Sequence, residues 1–162
     1  MRRAIMGRKR LAVILLAGAI AIVGTACLPD TGPPPTADPY QRMLYDAVNR
    51  DRAANGLPAL TFSPKLSVLA GGHSCDMARS GSLFHSNLGA TMASSDFAAY
   101  WTLGENILVV GPGTPISTME SMWMSSSAHR ANILSRNYNV VGMAFCNGPD
   151  GRIWATEEFG GL

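Results

Sequence analysis

Three shortages shape this sequence: only three cysteines, no apolar run long enough to be a clear membrane span, and no run of positive charge beyond residue 26. The longest apolar stretch, LAVILLAGAIAIVGTA at 11–26, has about 16 residues where a spanning helix needs roughly 20. All five basic residues of the first 26 (Arg2, Arg3, Arg8, Lys9, Arg10) precede that stretch. Residues 27–162 hold eight basic residues against eleven acidic ones, a formal charge of −3. Nothing remains that would attract a nucleic acid backbone. No internal repeat is visible, which excludes a solenoid. There is no HExxH to build a zinc protease on one helix. Ser125, Ser126 and Ser127 lack the flanking glycines of a hydrolase nucleophile elbow.

What is present begins with an export signal. MRRAIMGRKR is a basic leader, and GTA after the apolar run suits cleavage before Cys27. An uncleaved anchor is the alternative. Arg2-Arg3 continues as AIMG and does not make a twin-arginine signal. Cys27 is a lipidation candidate: Thr25 and Ala26 fit a lipoprotein signal, while Gly24 stands where a leucine is usual, so ordinary signal-peptidase cleavage stays open. LPDTG at 28–32 matches a sortase signal, but in the wrong order, since the apolar and basic segments come before it. The Pro-rich residues 27–38 read as an extended linker. Residues 39–162 then form one domain, the 136 residues after the signal being enough for a proper core. The protein is expected to be secreted or tethered to the outer face of the cell membrane, with membrane contact only through that N-terminal lipid or anchor. Export permits disulfides. If Cys27 carries lipid, Cys75 and Cys146 remain as a pair, the alternative being two buried thiols. Closing a loop of about 70 residues would contribute on the order of 4 kcal/mol.

Helix signals are clear in the first half. Asp38 and Pro39 open a helix that Gly56 ends, with Tyr40, Met43, Leu44, Ala47 and Val48 in one apolar stripe. Ser63-Pro64 opens a second, closed by Gly81, with Leu66, Leu69, Ala70, His73 and Met77 on one face. Residues 82–104 read as loops with a helical turn near 96–101. GENILVVGPG predicts a short strand or extended edge. Thr114-Pro115 starts another helix that buries Ile116, Met119 and Trp123, and SSSAHRANILS a further short one. NVVGMAFCNG and GRIWATEEFG, joined through NGPDG, predict a hairpin. Helices first and a hairpin last imply an α+β domain, with helices packed on an antiparallel sheet.

Three residues stand out for chemistry: His85 in LFHSN, Glu105 in GEN and His129 in SAHRANIL. All lie in polar surroundings rich in glycine or serine, where scaffolds display functional groups. Two imidazoles and a carboxylate are a known ligand set for a divalent metal such as zinc, although no short spacing ties them together. His73, on the apolar face of its helix, reads as a packed core histidine. MESMWMSS reads as core packing, and Glu157 and Glu158 as strand-end residues without a special role.

LYDAVNRDRAANGLPALTFSPKLSVLAGGHSCDMARSG, FHS, GENI, SMWMSSSAHRANIL, VVGMAFC and WATEEFG occur in the order found in the bacterial branch of the CAP superfamily, which the chain resembles over about residues 40–160. The relatives include cysteine-rich secretory proteins, antigen 5 and pathogenesis-related proteins. The resemblance implies an α-β-α sandwich with a central antiparallel sheet between helical layers. It also implies a cleft in which His85, Glu105 and His129 match the two histidines and the GEN glutamate. The fourth member of that pattern, a glutamate three places after the motif tryptophan, is Ser126 here. Glu120, one turn before Trp123, is a conjectural substitute, and Tyr138, Asn132 or water could complete a metal shell.

Two functions follow as expectations. The first is a non-enzymatic extracellular module whose cleft binds a small apolar ligand, a lipid or an envelope partner. The second is a metal-dependent hydrolase acting through His85, Glu105 and His129, with Glu105 as ligand or general base.

Overall fold

The computed structural model of the chain describes Thr31, Gly32 and residues 38–162. The expected export signal, the lipidation candidate Cys27 and nearly all of the expected linker lie outside the described residues.

Helix α1 (Pro39–Ala54) starts where the cap signal predicts, the Asp38 carboxylate accepting from Tyr40 N–H at 2.9 Å. Helix α2 (Pro64–Ser80) is capped by Ser63 Oγ, which accepts from Leu66 N–H, and ends on Gly81 at φ 68°. That left-handed conformation is one a Cβ would disfavour. A five-residue helix α3 (Leu88–Met92) and a 3₁₀ turn (Ser95–Phe97) follow. Helices α4 (Ile116–Ser125) and α5 (Ser127–Ile133) come next. The strands are β1 (Thr61–Phe62), β2 (Thr102–Val110), β3 (Val140–Asn147) and β4 (Ile153–Gly161). Among the described residues no helix is long and apolar enough to cross a membrane.

The strand order is β1-β3-β4-β2, so β2 is an edge. Antiparallel pairing joins β2 to β4 and β3 to β4. Strand β1, too short to show any periodicity, pairs with β3 in parallel, so the sheet is antiparallel only in its three long strands. Helix α2 packs on one face, against β3 and β4, while α1, α4 and α5 form the other layer. This is the expected α+β sandwich.

The α1/α4/α5 face holds the larger core, with Leu44, Val48, Trp123, Ile133, Met143 and Phe159 fully buried. Trp123 Nε1 donates to Ile107 O at 3.2 Å, so the indole nitrogen keeps a partner. On the α2 face, Leu66, Tyr100, Leu103 and Val140 cluster near one end and Met77, Ile107 and Trp154 near the other. Helix α2 lies so close to β3 that a Cβ at Gly142 would collide with the backbone of Leu66 and Ser67. The Cys75–Cys146 disulfide, with Cα atoms 5.1 Å apart, then ties α2 to β3.

Several expectations need correction. Tyr40 and Met43 are 64% and 53% exposed because they border cavities at the α1–α4 seam instead of packed side chains. Between residues 82 and 104 the helical turns fall earlier than predicted, and α3 buries no residue, so it left no periodic signal. Glu157 and Glu158 are not idle strand-end residues. Both are fully buried within β4, and as neighbours on a strand they point to opposite faces.

Candidate functional site

The site forms on edge strand β2, around Glu105. Register pairs Glu105 with Glu158 and Asn106 with Glu157, so each face of the sheet receives one buried carboxyl opposite a polar residue of GEN.

On the α2 face the loop after α2 folds over the Glu105 carboxylate, whose side chain is 1% exposed. His85 Nδ1 donates to Glu105 Oε1 at 2.6 Å and Ser86 N–H donates to the same oxygen at 3.0 Å. His73 approaches from α2: its Nε2–H donates to Phe84 O at 2.7 Å and stands 3.4 Å from Glu105 Oε2. His73 is therefore the packed, hydrogen-bonded histidine its helix face predicts, its ring edge-on to Phe84 at 5.1 Å. Burial alone would push Glu105 up. The hydrogen bonds from Ser86 and His85 and the charge of His73 outweigh it and hold the carboxyl below its ordinary value. Glu158 is pushed up to about 10 by burial and by the charge of Glu105 beside it. One carboxylate and one neutral acid thus share this side of the sheet.

His85 presents a side chain 63% exposed. With Nδ1–H spent on Glu105, Nε2 is the ring nitrogen left for a ligand, the carboxylate–histidine arrangement that fixes a tautomer. His129 comes from α5, held from behind by two asparagines. Asn106 Nδ2 donates to His129 O at 3.2 Å, and Asn132 Nδ2 donates to Glu105 O at 3.0 Å and Asn106 Oδ1 at 2.9 Å. Burial, then the nearby charge of His85, lowers the proton affinity of His129. The C-terminal end of α5 is fixed by Arg52, 1% exposed, whose Nη1 donates to Ile133 O at 2.7 Å and Ser135 O at 2.9 Å.

Sequence reasoning therefore chose three residues that the fold does bring to one edge. It did not anticipate the parts that hold them: Ser86, Arg52, Asn106 and Glu158. The asparagine of GEN carries its own role visibly enough, being polar inside an apolar run, yet nothing in the sequence marks Arg52.

The conjectural fourth ligand fails on geometry. Glu120 is buried on α4 toward α1, facing Glu157 and Asp51 across the sheet from His85. Asn132 is occupied by Glu105 and Asn106, and Tyr138 stacks on Phe159 with centroids 5.6 Å apart. Catalytic zinc takes three protein ligands. Here the third candidate, Glu105, is spent on His85 and Ser86, and among the described residues no three His, Cys, Asp or Glu side chains converge to hold an ion. The donor set offers two imidazoles and not a three-ligand centre.

Comparison with known proteins agrees with this architecture. Residues 45–159 match the family described as CAP: Cysteine-rich secretory protein family. The uncharacterized protein YkwD of Bacillus subtilis (strain 168) is 32% identical over 133 residues, which are 80% of this chain. The chain spans only 50% of that relative's length. An outer surface protein from Borrelia burgdorferi is similar in structure with TM-score 0.66 and 14% identity, over 78% of this chain and 95% of that one. An extracellular protein containing a SCP domain from Bacillus anthracis superposes with TM-score 0.62 and 21% identity, over 79% of this chain and 45% of that one. At such identities the two structures speak for the fold alone.

Proposed function

Since this chain belongs to the CAP, or cysteine-rich secretory protein, family, we propose that it is an extracellular, non-enzymatic module that binds a small apolar ligand. Export is supported by the N-terminal signal in the sequence and by the Cys75–Cys146 bridge, which suits an oxidising compartment. The printed descriptions of the Bacillus anthracis and Borrelia burgdorferi proteins, extracellular and outer surface, point the same way. Tethering through Cys27 is the membrane-attached form of the same reading.

The observation that carries the ligand reading is a cavity of about 390 Å³ at the hairpin end of the α1/α4 face, lined by Tyr40, Ile116, Met119, Phe145 and Ile153, with Asp38, Thr114 and Asn147 as its polar side chains. Its size and lining suit a small, mostly apolar molecule. The sequence reading puts the ligand in the His85–Glu105–His129 cleft; in this proposal it lies across the sheet from those imidazoles, in the more apolar hollow. A hydrolase reading loses support because Glu105 is already engaged by hydrogen bonds and is not free to take a proton from a positioned water.

Displacement of an environment-sensitive fluorescent fatty acid tests the proposal. Binding is expected in the purified protein and in His129→Ala, and is lost in Phe145→Glu. Hydrolysis of a peptide or ester that disappears in His129→Ala would overturn it.

A further inference from the structure

The sheet has two edges, and the imidazoles belong to one of them. Strand β1 is the edge opposite β2. Its inner side is taken by β3: Thr61 N–H donates to Asn139 O at 2.9 Å and Ser63 N–H to Val141 O at 2.8 Å. Backbone groups alternate sides along a strand, so those of Phe62 face outward, where an unpaired edge is a template for another chain. Gly32 fills that place. Its N–H donates to Phe62 O at 2.9 Å in an isolated antiparallel bridge. A Cβ added to it would lie 3.4 Å from Pro64 Cγ, so the backbone also rests on that ring. Pro33, Pro34 and Pro35 carry no N–H, which makes Gly32 the last linker donor before Thr36.

Where the linker is gripped sets how far the domain can turn about Cys27. Five residues lead from Cys27 to Gly32, and eleven lead to Asp38, the cap of α1. At full stretch the first reach is at most about 18 Å and the second about 40 Å. His85 is bonded to Glu105 of β2, and the carbonyl of His129 to Asn106 of the same strand. Three strand spacings, about 14 Å, separate that edge from β1. An attachment held only at Asp38 would be long enough to let either edge face the membrane. One held at Gly32 is short and pulls on β1 alone.

We propose that Gly32 clamps the linker to the β1 edge, so that the lipid-tethered protein turns β1 toward the membrane and offers His85 and His129 outward. The orientation rests on the reading of Cys27 as a tether, while the clamp itself stands on the Gly32–Phe62 bond. The specific requirement is a backbone N–H at position 32. The backbone of Gly32 is not in the left-handed region, and the space beside Pro64 admits a methyl group at ordinary contact distance. Alanine can therefore serve there, and proline cannot.

Mass spectrometry of the exported protein reports whether Cys27 carries lipid, which tests the tether by itself. The clamp is tested on the exported protein coupled through Cys27 to a maleimide lipid in phosphatidylcholine nanodiscs. With Cys75 and Cys146 bridged, Cys27 is the one free thiol of the chain. When a lipid bearing gadolinium on its headgroup is added, the amide signals of Thr61 and Phe62 should lose intensity while the ring signals of His85 and His129 keep theirs. Gly32→Ala, which retains the N–H, should preserve that difference. Gly32→Pro should abolish it and leave the rest of the spectrum unchanged. The Gly32 amide should also exchange with solvent more slowly than in a free peptide of the linker sequence. Equal loss at both edges, greater loss at the imidazoles, a difference that survives Gly32→Pro, or exchange of Gly32 at the peptide rate would overturn the proposal.

Discussion

Glu157 and Glu158 are adjacent on β4 and equally buried, yet they live in different chemistry. Glu158 sits with Glu105 under α2, where a neighbouring carboxylate already has its donors in His85 and Ser86. Glu157 sits under α1 and α4 with Asn106 as its one donor and with Glu120 and Asp51 as acidic neighbours. Both strand acids are pushed above the ordinary carboxyl range, and Glu158 has no donor of its own. What sets the α2 face apart is its cross-strand neighbour: Glu105 takes the donors and stays an anion, so Glu158 keeps its proton beside it. The lesson is that burial does not fix a carboxyl's charge, since the donors around it decide.

Breaking the covalent support of the α2 face should have the largest effect. Replacing Cys75 and Cys146 by serine is expected to cost about 2–4 kcal/mol in a urea melt, while fatty-acid displacement at the α1/α4 cavity survives in the fraction that stays folded.

Next, the two glutamates can be set against each other. Glu105→Gln should lose about 1.5–3 kcal/mol at pH 7, since it removes a carboxylate from charged hydrogen bonds. Glu157→Gln should be neutral or stabilising at pH 8.5, where the wild-type acid begins to ionise in an apolar layer. Equal losses in both would erase the contrast.

The pH profile sharpens the same point. Glu157 is raised to about 8 and Glu120 and Glu158 to about 10, mainly by burial. Each therefore binds more protons folded than unfolded above the ordinary carboxyl range, and its contribution is lost as pH rises through its folded value. Glu105, lowered, loses its contribution as pH falls through its own folded value, and His129, also lowered, resists charging below its ordinary value. Melting temperature should peak under mildly acidic conditions and fall by several degrees toward pH 9. Glu120→Gln and Glu157→Gln should flatten that alkaline slope.

The smallest effect on stability is expected from the exposed imidazole. His85→Ala removes one donor from buried Glu105, but Ser86 N–H remains and water can take the place of a ring 63% exposed, so the loss should be about 1 kcal/mol. Zinc titration of the wild type should show no uptake tighter than micromolar, with two imidazoles and no free third ligand; tight uptake lost in His129→Ala would show that the loop rearranges around an ion.

Much of the fold was legible because its signals are local. Asp38-Pro39, Ser63-Pro64 and Gly81 mark helix ends by capping chemistry, and NGPDG marks the hairpin. Strand β1 has only two residues, and α3 hides no apolar face, so neither left a pattern to read. At the site, His85, Glu105 and His129 were found through motif order. Arg52, Glu120 and Glu157 were not, because their roles depend on pairings 81 residues apart for Arg52 with Ile133 and 51 apart for Asn106 with Glu157. A buried charge looks in sequence like any surface one.

The close approach of α2 to β3 at Gly142 sets a ruler for the whole α2 face. Because the missing side chain lets Leu66 and Ser67 rest on the strand itself, it fixes how far above the sheet His73 rides, seven residues further along the same helix. His73 in turn holds the carbonyl of Phe84. The height at which His85 is offered to solvent is therefore a dimension of the backbone, measured out by one hydrogen atom where any other residue would stand taller.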